Sequence, residues 1–274
     1  MMRLKLSTTS FALTLFLMFV LTANAQDERP TEAIKQPLST AAWNGFYGKF
    51  RISDKIFWDA QFHYRRVGNE SADYFGQMGQ IYNRHAINYL VNERFSVSLG
   101  PVLRLNFSPD PGNPEFESLV LEPRIWHEYL FAMPLTRSMI YHRIRIEHRW
   151  SRSNAVGADW IFRNRWRYKF YMNIPLNNDK LAPGTVFFTP DVEIIMQNGK
   201  KVVDSPLEDL RINPSIGYII NPRIKITAGM MYTTGQTLDA GYLYTNRWIF
   251  RTNAYFSLDF RKKESRVPRT RLFD

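Results

Sequence analysis

Charged and apolar residues alternate along two neighbouring segments of the chain. In residues 141–150 one parity is charged and the other is largely apolar, and residues 161–170 repeat this arrangement with aromatic side chains on the second parity. Successive side chains point to opposite faces of a β-strand, whereas an α-helix repeats every 3.6 residues. Both segments are therefore predicted to be strands with one charged face and one apolar face.

The same alternation recurs through most of the chain. Residues 55–66, for example, place Trp58 and Phe62 on one face and Asp59 and Gln61 on the other. Eleven candidate strands result: 43–52, 55–66, 77–91, 94–107, 119–131, 139–150, 161–170, 186–197, 209–220, 223–233 and 246–260. Most have at least the roughly 9–11 residues that cross a tilted barrel wall.

The direction of the apolar face decides the fold class. A soluble sandwich turns that face inward, but such strands seldom recur throughout a chain with 15% aromatic residues. Outer-membrane barrels invert the arrangement, with apolar side chains towards lipid and charged ones inside. We therefore predict an all-β chain that forms a transmembrane, antiparallel, up-and-down β-barrel of about twelve strands.

The strand count and the prolines are the difficult points of this prediction. Bacterial barrels have even strand numbers, so a twelfth strand is expected in residues 27–42, or the N-terminal segment threads through the lumen. Pro30 and Pro37 make residues 27–42 a poor strand. Four further prolines interrupt predicted strands, and bulges are expected to absorb them: Pro101, Pro123, Pro190 and Pro214.

Short and long connections mostly alternate along the chain. Tight links are predicted at 53–54, 92–93, 134–137 and 221–222, and longer polar ones at 67–75, 108–117, 151–158, 198–208 and 234–242. Short turns are periplasmic and long loops extracellular in bacterial barrels. Residues 174–184 are the exception, because this scheme requires a short turn there and the segment is long.

The N-terminus carries the features of a cleaved secretory signal peptide. Arg3 and Lys5 precede an apolar run, and small residues follow at 23–25. The predicted organisation is a signal peptide at 1–25, a periplasmic or lumen segment at 26–42, an outer-membrane barrel at 43–260 and a basic tail at 261–274. The sequence has no cysteine, which excludes disulfides, a lipoprotein anchor and thiol chemistry.

The net charge adds a candidate partner. It is +11 for the whole sequence and falls to +9 once Arg3 and Lys5 leave with the signal peptide. Nucleic acid is disfavoured as a partner, because the chain is exported and its arginines follow a strand period instead of clustering. A positive lumen or a rim that faces lipopolysaccharide explains the charge better.

The hairpin formed by residues 119–131 and 139–150 has a predicted register. A four-residue turn at 134–137 sets Glu128 opposite Arg143, Arg124 opposite Glu147 and Glu122 opposite Arg149, so every pair has opposite signs. A shift of two residues, with Arg124 opposite Arg145, brings like charges together. The next strand brings Arg165 near Glu147, which predicts a ladder of shared ion pairs.

Two functions for this ladder stay open. In the first, the charges fill and stiffen the lumen, since ions in a confined space must be paired or hydrated. In the second, surplus positive charge forms a narrow pathway biased towards small anions. The candidate residues are Glu122, Arg124, Glu128, Arg143, Arg145, Glu147, Arg149, Arg163, Arg165, Arg167, Lys169 and Glu193.

An enzyme is the alternative from a different class. Some outer-membrane barrels hydrolyse lipids at an outer-surface Ser/His/Asn site, and His127, His142 and His148 share the lipid-facing parity. However, no Ser stands at a diagnostic distance from a base, and no spacing indicates a metal site. We therefore expect no enzymatic activity, no cofactor and no metal. The many Trp and Tyr residues are expected to serve the interfacial girdle and packing, and they include Trp58, Trp126, Trp150, Trp160, Trp166 and Trp248.

The last predicted strand bears on assembly. Alternating residues end at the aromatic Phe260, a pattern similar to the final-strand signal read by the barrel-assembly machinery, although a basic tail follows it. The expected partners are thus this machinery, outer-membrane lipid and lipopolysaccharide, with small anionic solutes as candidate ligands.

The order of the charged motifs resembles that of a known family. The motifs are Glu122-x-Arg124-x-Trp126, Arg143-x-Arg145-x-Glu147-x-Arg149, Arg163-x-Arg165-x-Arg167-Tyr168, and later Glu193 and Gly217-Tyr218. They resemble family 2490 of the domains of unknown function, a Bacteroidetes-type group of uncharacterised outer-membrane barrels. The resemblance covers most of the chain beyond the signal peptide. It implies an outer-membrane barrel of a Gram-negative cell, and it implies no activity.

Overall fold

The described residues fold almost entirely as β-strands. The computed structural model describes residues 33–202, 206–237 and 241–261. The strands are β1 (Ile34–Arg51), β2 (Ile56–Asn69), β3 (Ala72–Asn92), β4 (Phe95–Phe107), β5 (Leu119–Pro134), β6 (Met139–Ser151), β7 (Ile161–Pro175), β8 (Val186–Thr189), β9 (Asp191–Asn198), β10 (Leu207–Ile212), β11 (Ser215–Asn221), β12 (Ile224–Gln236) and β13 (Leu243–Asp259). Within these residues, no helix is long and apolar enough to span a bilayer. The predicted all-β class is confirmed.

Two proline breaks explain why thirteen strands form a wall with fewer positions. Pro190 separates β8 from β9, and Pro214 lies between β10 and β11, where proline cannot donate to the ladder. On one half of the wall β7 reaches β12 through β9 and β10, and on the other half through β8 and β11. Each broken pair occupies one position, so the wall has eleven. Pro101 and Pro123, in contrast, stay inside β4 and β5.

The barrel closes through a parallel pair of strands. β1 and β13 are parallel neighbours from Ile34 opposite Leu243 to Arg51 opposite Asp259, while the other neighbours in the wall are antiparallel. With an odd number of positions in an up-and-down barrel, the first and last strands run in the same direction and must meet in parallel. The expectation of an even count was therefore wrong, and no twelfth strand is needed.

The wall begins earlier in the chain than predicted. Residues 34–42 belong to β1, although the sequence suggested a periplasmic or lumen segment there. Pro37 is accommodated because the register between β1 and β13 shifts between Lys35 and Leu38, as expected where a proline interrupts a ladder. The predicted signal peptide and most of the basic tail lie outside the described residues.

Short turns gather at one end of the barrel, which we call the short-turn end. Its turns are residues 52–55, 93–94, 135–138 and 222–223, together with the longer segment 176–185. The opposite, long-loop end carries residues 108–118 and 152–160, together with the described residues of the connections that follow β9 and β12. The predicted loop at 67–75 was wrong. β2 and β3 continue to a tight turn there, where Asn69 Oδ1 accepts hydrogen bonds from the backbone N–H groups of Ser71 and Ala72.

The two faces of the wall have opposite chemistry. Large apolar side chains point outward and are exposed, for example Ile87, Leu99, Ile125, Trp166 and Ile226. Charged and amide side chains of the alternate parity point inward and are buried. This is the inverse of a soluble sandwich. Of the six tryptophans named in the sequence analysis, Trp126 is fully buried and packs inside the lumen, whereas the other five are exposed.

Candidate functional site

The hairpin of β5 and β6 places its charges in a register different from the predicted one. Arg124 lies opposite Arg149, Glu128 opposite Arg145, and Trp126 opposite Glu147. The turn comprises residues 135–138, one position later than predicted, and its backbone closes from the Leu135 N–H to the Ser138 carbonyl at 2.8 Å. Moving the turn by one residue shifts the strands by two. The predicted register was therefore wrong, although the three predicted ion pairs, Glu128 with Arg143, Arg124 with Glu147 and Glu122 with Arg149, all form as diagonal contacts.

Diagonal ion pairs make this register favourable although two arginines face each other. Glu122 Oε1 accepts hydrogen bonds from Arg124 Nε at 2.7 Å and from Arg149 Nε at 2.9 Å, so it lies between the two guanidinium groups. Arg124 Nη1 also donates to Glu147 Oε2 at 2.6 Å. Long arginine side chains reach neighbours that are not directly opposite. The turn therefore sets the register, and the ion pairs still form.

Glu147 is the centre of the predicted ladder. Its carboxylate lies 2.6 Å from Arg124, 2.8 Å from Arg167, 3.5 Å from Arg165 and 3.6 Å from Arg84. The sequence predicted that Arg165 would share Glu147, and this is confirmed. A fully buried carboxylate with four guanidinium neighbours satisfies the rule that buried charges are paired.

Further carboxylates extend these contacts into one connected cluster. Glu193 contacts Arg143, Arg167 and Arg211, while Glu128 contacts Arg143 and Arg145. Glu208 contacts Arg149 and Arg165, which closes the cluster towards the long-loop end. We call this cluster the Arg/Glu network; it comprises Arg84, Arg104, Glu122, Arg124, Glu128, Arg143, Arg145, Glu147, Arg149, Arg165, Arg167, Glu193, Glu208 and Arg211.

Ten of the twelve predicted residues belong to the network, and the other two lie beside it. Lys169 forms an ion pair with Asp191, and Arg163 donates to Gln197 Oε1 at 3.0 Å and to Ser151 Oγ at 3.1 Å. All twelve thus point into the lumen, as the parity of the strands predicts.

Four members of the network escaped the sequence analysis. Arg84 lies in β3, whose alternation is weak, and Arg104 is the only arginine within β4. Glu208 belongs to a segment predicted as a loop, and Arg211 stands on a strand that Pro214 interrupts. Inward parity within an extended β10 is the signal that would have found Arg211. Glu208 has the opposite parity, and it enters the lumen because the register between β9 and β10 shifts between Leu207 and Asp209.

Aromatic rings support the surplus positive charge. Arg145 lies 4.5 Å and Arg84 lies 5.4 Å from the centre of the Trp126 ring. Arg65, Arg104 and Arg124 all approach the Tyr82 ring, at 4.2, 5.4 and 5.3 Å. Cations over the negative face of an aromatic ring are stabilised when desolvated. Contacts with aromatic rings therefore stabilise lumen arginines in addition to the ion pairs with carboxylates.

The network fills the long-loop half of the lumen. Arg124 is 2% exposed, Arg149 is 3% exposed and Glu147 is fully buried. Side chains that line a water-filled channel keep contact with solvent, and these do not. The geometry therefore favours a lumen that is closed by ion-paired side chains over a lumen with an open path.

A polar cavity of about 240 Å³ lies on the other side of the network. We call it the turn-side cavity, and its wall includes Tyr47, Lys49, Tyr141, Lys169, Arg251 and Tyr255. Towards the short-turn end a small apolar cluster follows, formed by Phe57, Leu90, Ala132, Met139 and Tyr141. Leu181 from segment 176–185 packs against that cluster.

The loops at the long-loop end are tied to each other. The two terminal guanidinium nitrogens of Arg152, Nη1 and Nη2, donate to the Glu117 carboxylate. The backbone N–H of Glu117 donates to the Asn154 carbonyl at 2.7 Å. The hydrogen bonds from Arg152 lower the pKa of Glu117 below its usual value. Loops 108–118 and 152–160 therefore form a clasp above the network.

The three candidate histidines lie on the outer face. His148 Nδ1 is 2.6 Å from Asn164 Oδ1, His142 Nδ1 is 2.7 Å from Tyr168 Oη, and the rings of His127 and His148 stack at 5.6 Å. No hydrogen bond joins any of them to a Ser or Thr hydroxyl among the described residues. That part of the chain also brings together no cluster of three or more His, Asp or Glu suited to a metal ion.

Comparisons with known proteins address the family and the fold. A search of curated proteins returned no match. Among solved structures, LpxR from Salmonella typhimurium is similar, with 8% sequence identity and a TM-score of 0.45 over 77% of this chain and 86% of that one. The family model described as "Protein of unknown function (DUF2490)" matches residues 40–244. This match covers most of the barrel and the whole Arg/Glu network, and the chain belongs to that family.

Proposed function

We propose that the chain is an outer-membrane β-barrel with a closed lumen, which serves the cell envelope as a structural component and not as a passive pore. The observation that carries this proposal is the burial of the Arg/Glu network across the long-loop half of the lumen. Without a conducting path, the proposed role of the barrel is that of a stable structural protein of the envelope that contacts lipid and lipopolysaccharide.

The outer face supports insertion in a membrane. Bulky apolar side chains of β3, β4, β5 and β12 point away from the lumen and are exposed, whereas Arg84 of β3 and Glu122 and Arg124 of β5 are buried. Water disfavours such an apolar surface, and hydrocarbon accepts it. Closure of the wall through β1 and β13 also pairs strand edges that would otherwise meet lipid with unsatisfied backbone groups.

An anion-biased pore remains the nearest competing function. Its support is the excess of arginine over glutamate in the lumen, because a positive constriction favours anions. Conduction also needs a hydrated path, however, and the burial of Arg124, Glu147 and Arg149 argues against one in the long-loop half. Arg124 and Arg167 are both held inside the lumen by the Glu147 carboxylate.

The proposed function predicts silence in planar bilayers. We expect purified protein in a lipid bilayer to give no discrete current steps, under conditions in which a general porin conducts. Flotation of protein-containing vesicles in a density gradient would establish that the barrel had inserted. Reproducible anion-selective steps that reverse their selectivity on Arg145→Glu would show a pore and overturn the proposal.

A lipid hydrolase is the second candidate, and the contact of His148 with Asn164 on the outer face favours it. A hydrolase also needs a nucleophile beside the imidazole, and no hydroxyl of Ser or Thr takes that place among the described residues. We therefore expect no release of fatty acid from phospholipid in mixed micelles. Turnover that is lost in His148→Ala and kept in His142→Ala would contradict this expectation.

A further inference from the structure

The turn-side cavity is built unlike the rest of the lumen. The Arg/Glu network bounds it towards the long-loop end, and the apolar cluster around Tyr141 bounds part of it towards the short-turn end. Its volume of about 240 Å³ is far more than the roughly 10–15 Å³ that a single water molecule needs. A space of this size accommodates a small polar solute.

The charges around this cavity are unbalanced. Ten lysine and arginine side chains line it, against the four carboxylates of Asp59, Glu128, Asp191 and Glu193. Several of these cations already neutralise the carboxylates through the contacts described above. The excess is therefore positive, and it is concentrated where the lumen is not filled by protein.

Two of these arginines have no ion pair with a carboxylate within the described residues. Arg251 donates from Nη2 to Tyr47 Oη at 3.0 Å. Arg65 lies 3.7 Å above the Trp43 ring and donates to Gln80 Oε1 at 3.3 Å, and its buried Nε has no hydrogen-bond partner there. A buried guanidinium without a carboxylate is costly, and an anion bound beside it removes that cost.

Stacked tyrosines give the cavity fixed walls. Tyr47 and Tyr255 stack at 4.8 Å between ring centres, and Tyr141 and Tyr171 stack at 4.6 Å. Paired rings lose little conformational freedom when a ligand binds, so the site is already organised. Phenolic hydroxyls add donors suited to oxyanions.

We propose that the turn-side cavity binds a small dianionic oxyanion, of which a phosphate or a small phosphate monoester is the representative. Arginine is the side chain best suited to this group, because its planar donors match two oxygens of a phosphate. Arg251 and Arg65 provide the unneutralised charge, and the tyrosines provide the walls. The cavity is bounded by the same Arg/Glu network on which the proposed function rests. Phosphate binding, however, does not require the lumen to be closed.

Calorimetry on the intact barrel in neutral detergent tests the proposal. The probes are inorganic phosphate, glucose 6-phosphate and uncharged glucose, titrated at low ionic strength. We expect inorganic phosphate to bind, with or without binding of glucose 6-phosphate, and we expect glucose to give no signal. The two phosphate arms distinguish a site for the free ion from a site for its monoester.

Variants identify the site that binds. Arg251→Gln is expected to weaken phosphate binding about tenfold, the value of one charge-assisted hydrogen bond, whereas Arg251→Lys should keep part of the affinity. Arg94→Gln removes the same charge from an exposed turn at the same end and should bind like the unmodified protein. Far-UV circular dichroism establishes that each variant is folded.

Two results would overturn the proposal. One is the absence of phosphate binding by the intact barrel, and the other is an equal affinity in Arg251→Gln, Arg65→Gln and Arg94→Gln. Neither depends on the bilayer recordings. A barrel that conducts and binds phosphate would refute only the closed lumen, and a silent barrel without binding would refute only this inference.

Discussion

Replacing Glu147 by Gln is expected to destabilise the barrel by about 3–5 kcal/mol, the cost of breaking a buried ion pair by removing one partner. Four guanidinium groups converge on this fully buried carboxylate. The amide keeps the shape of the side chain and removes its charge, so the arginines would repel one another without compensation. Reversible urea unfolding of the barrel in lipid vesicles measures the change in the free energy of unfolding.

Glu117→Gln is the matched control for this prediction. Glu117 also pairs with arginine, but it lies in a loop at the long-loop end, where solvent screens the charges. Exposed ion pairs contribute little to stability, so the control should unfold like the unmodified protein. Equal unfolding curves for Glu147→Gln and the unmodified barrel would mean that the network is hydrated and that the closed lumen is wrong.

The sequence predicted which side chains enter the lumen, and which ion pairs they form in the β5–β6 hairpin, better than it predicted the register of the strands. Parity along β5, β6, β7 and β9 depends only on the two-residue period of a strand, and eight of the twelve candidate residues that it selects are buried. The register depends on the turn. A turn at 135–138 instead of 134–137 shifted Arg124 from Glu147 to Arg149 as its direct neighbour.

The opposite-charge rule gave the right ion pairs in this hairpin but the wrong register, for a physical reason. It assumes that side chains contact the residue directly across the ladder, at about 4.5–5.5 Å between Cβ atoms. Arginine is longer than that spacing, so Arg149 reaches Glu122, and Arg167 reaches both Glu147 and Glu193. In a narrow barrel, partners also come from across the lumen, and no local pattern encodes them.

Closure of the wall was the other feature that local patterns could not supply. The eleven alternating segments correspond to the eleven positions of the wall, yet a rule about even strand numbers added a twelfth. Only the pairing of β1 with β13, which are separated by nearly the whole chain, shows that the edges meet in parallel. Pro190 and Pro214 were visible in the sequence, but their effect was larger than a bulge: each divides one wall position between two strands.

Ile125→Arg is expected to destabilise the barrel in lipid vesicles by about 2–4 kcal/mol, the cost of arginine on the lipid face near the bilayer midplane. Ile125 lies in the middle of β5 opposite Pro101, points outward and is 49% exposed. In water such a substitution at an exposed site costs little, so the loss tests directly whether this face meets hydrocarbon. Unfolding by urea in lipid vesicles gives the value.

Leu135→Arg separates a membrane effect from an effect of arginine itself. Leu135 is 52% exposed, close to the 49% exposure of Ile125, but it lies in the turn after β5, beyond the strands. There the cost is expected to be about 0–1 kcal/mol, the value near the interface. Two equal and small losses would place the apolar wall in water. The inward ionic network would then be the interior of a soluble barrel, and the outer-membrane function would have to be abandoned.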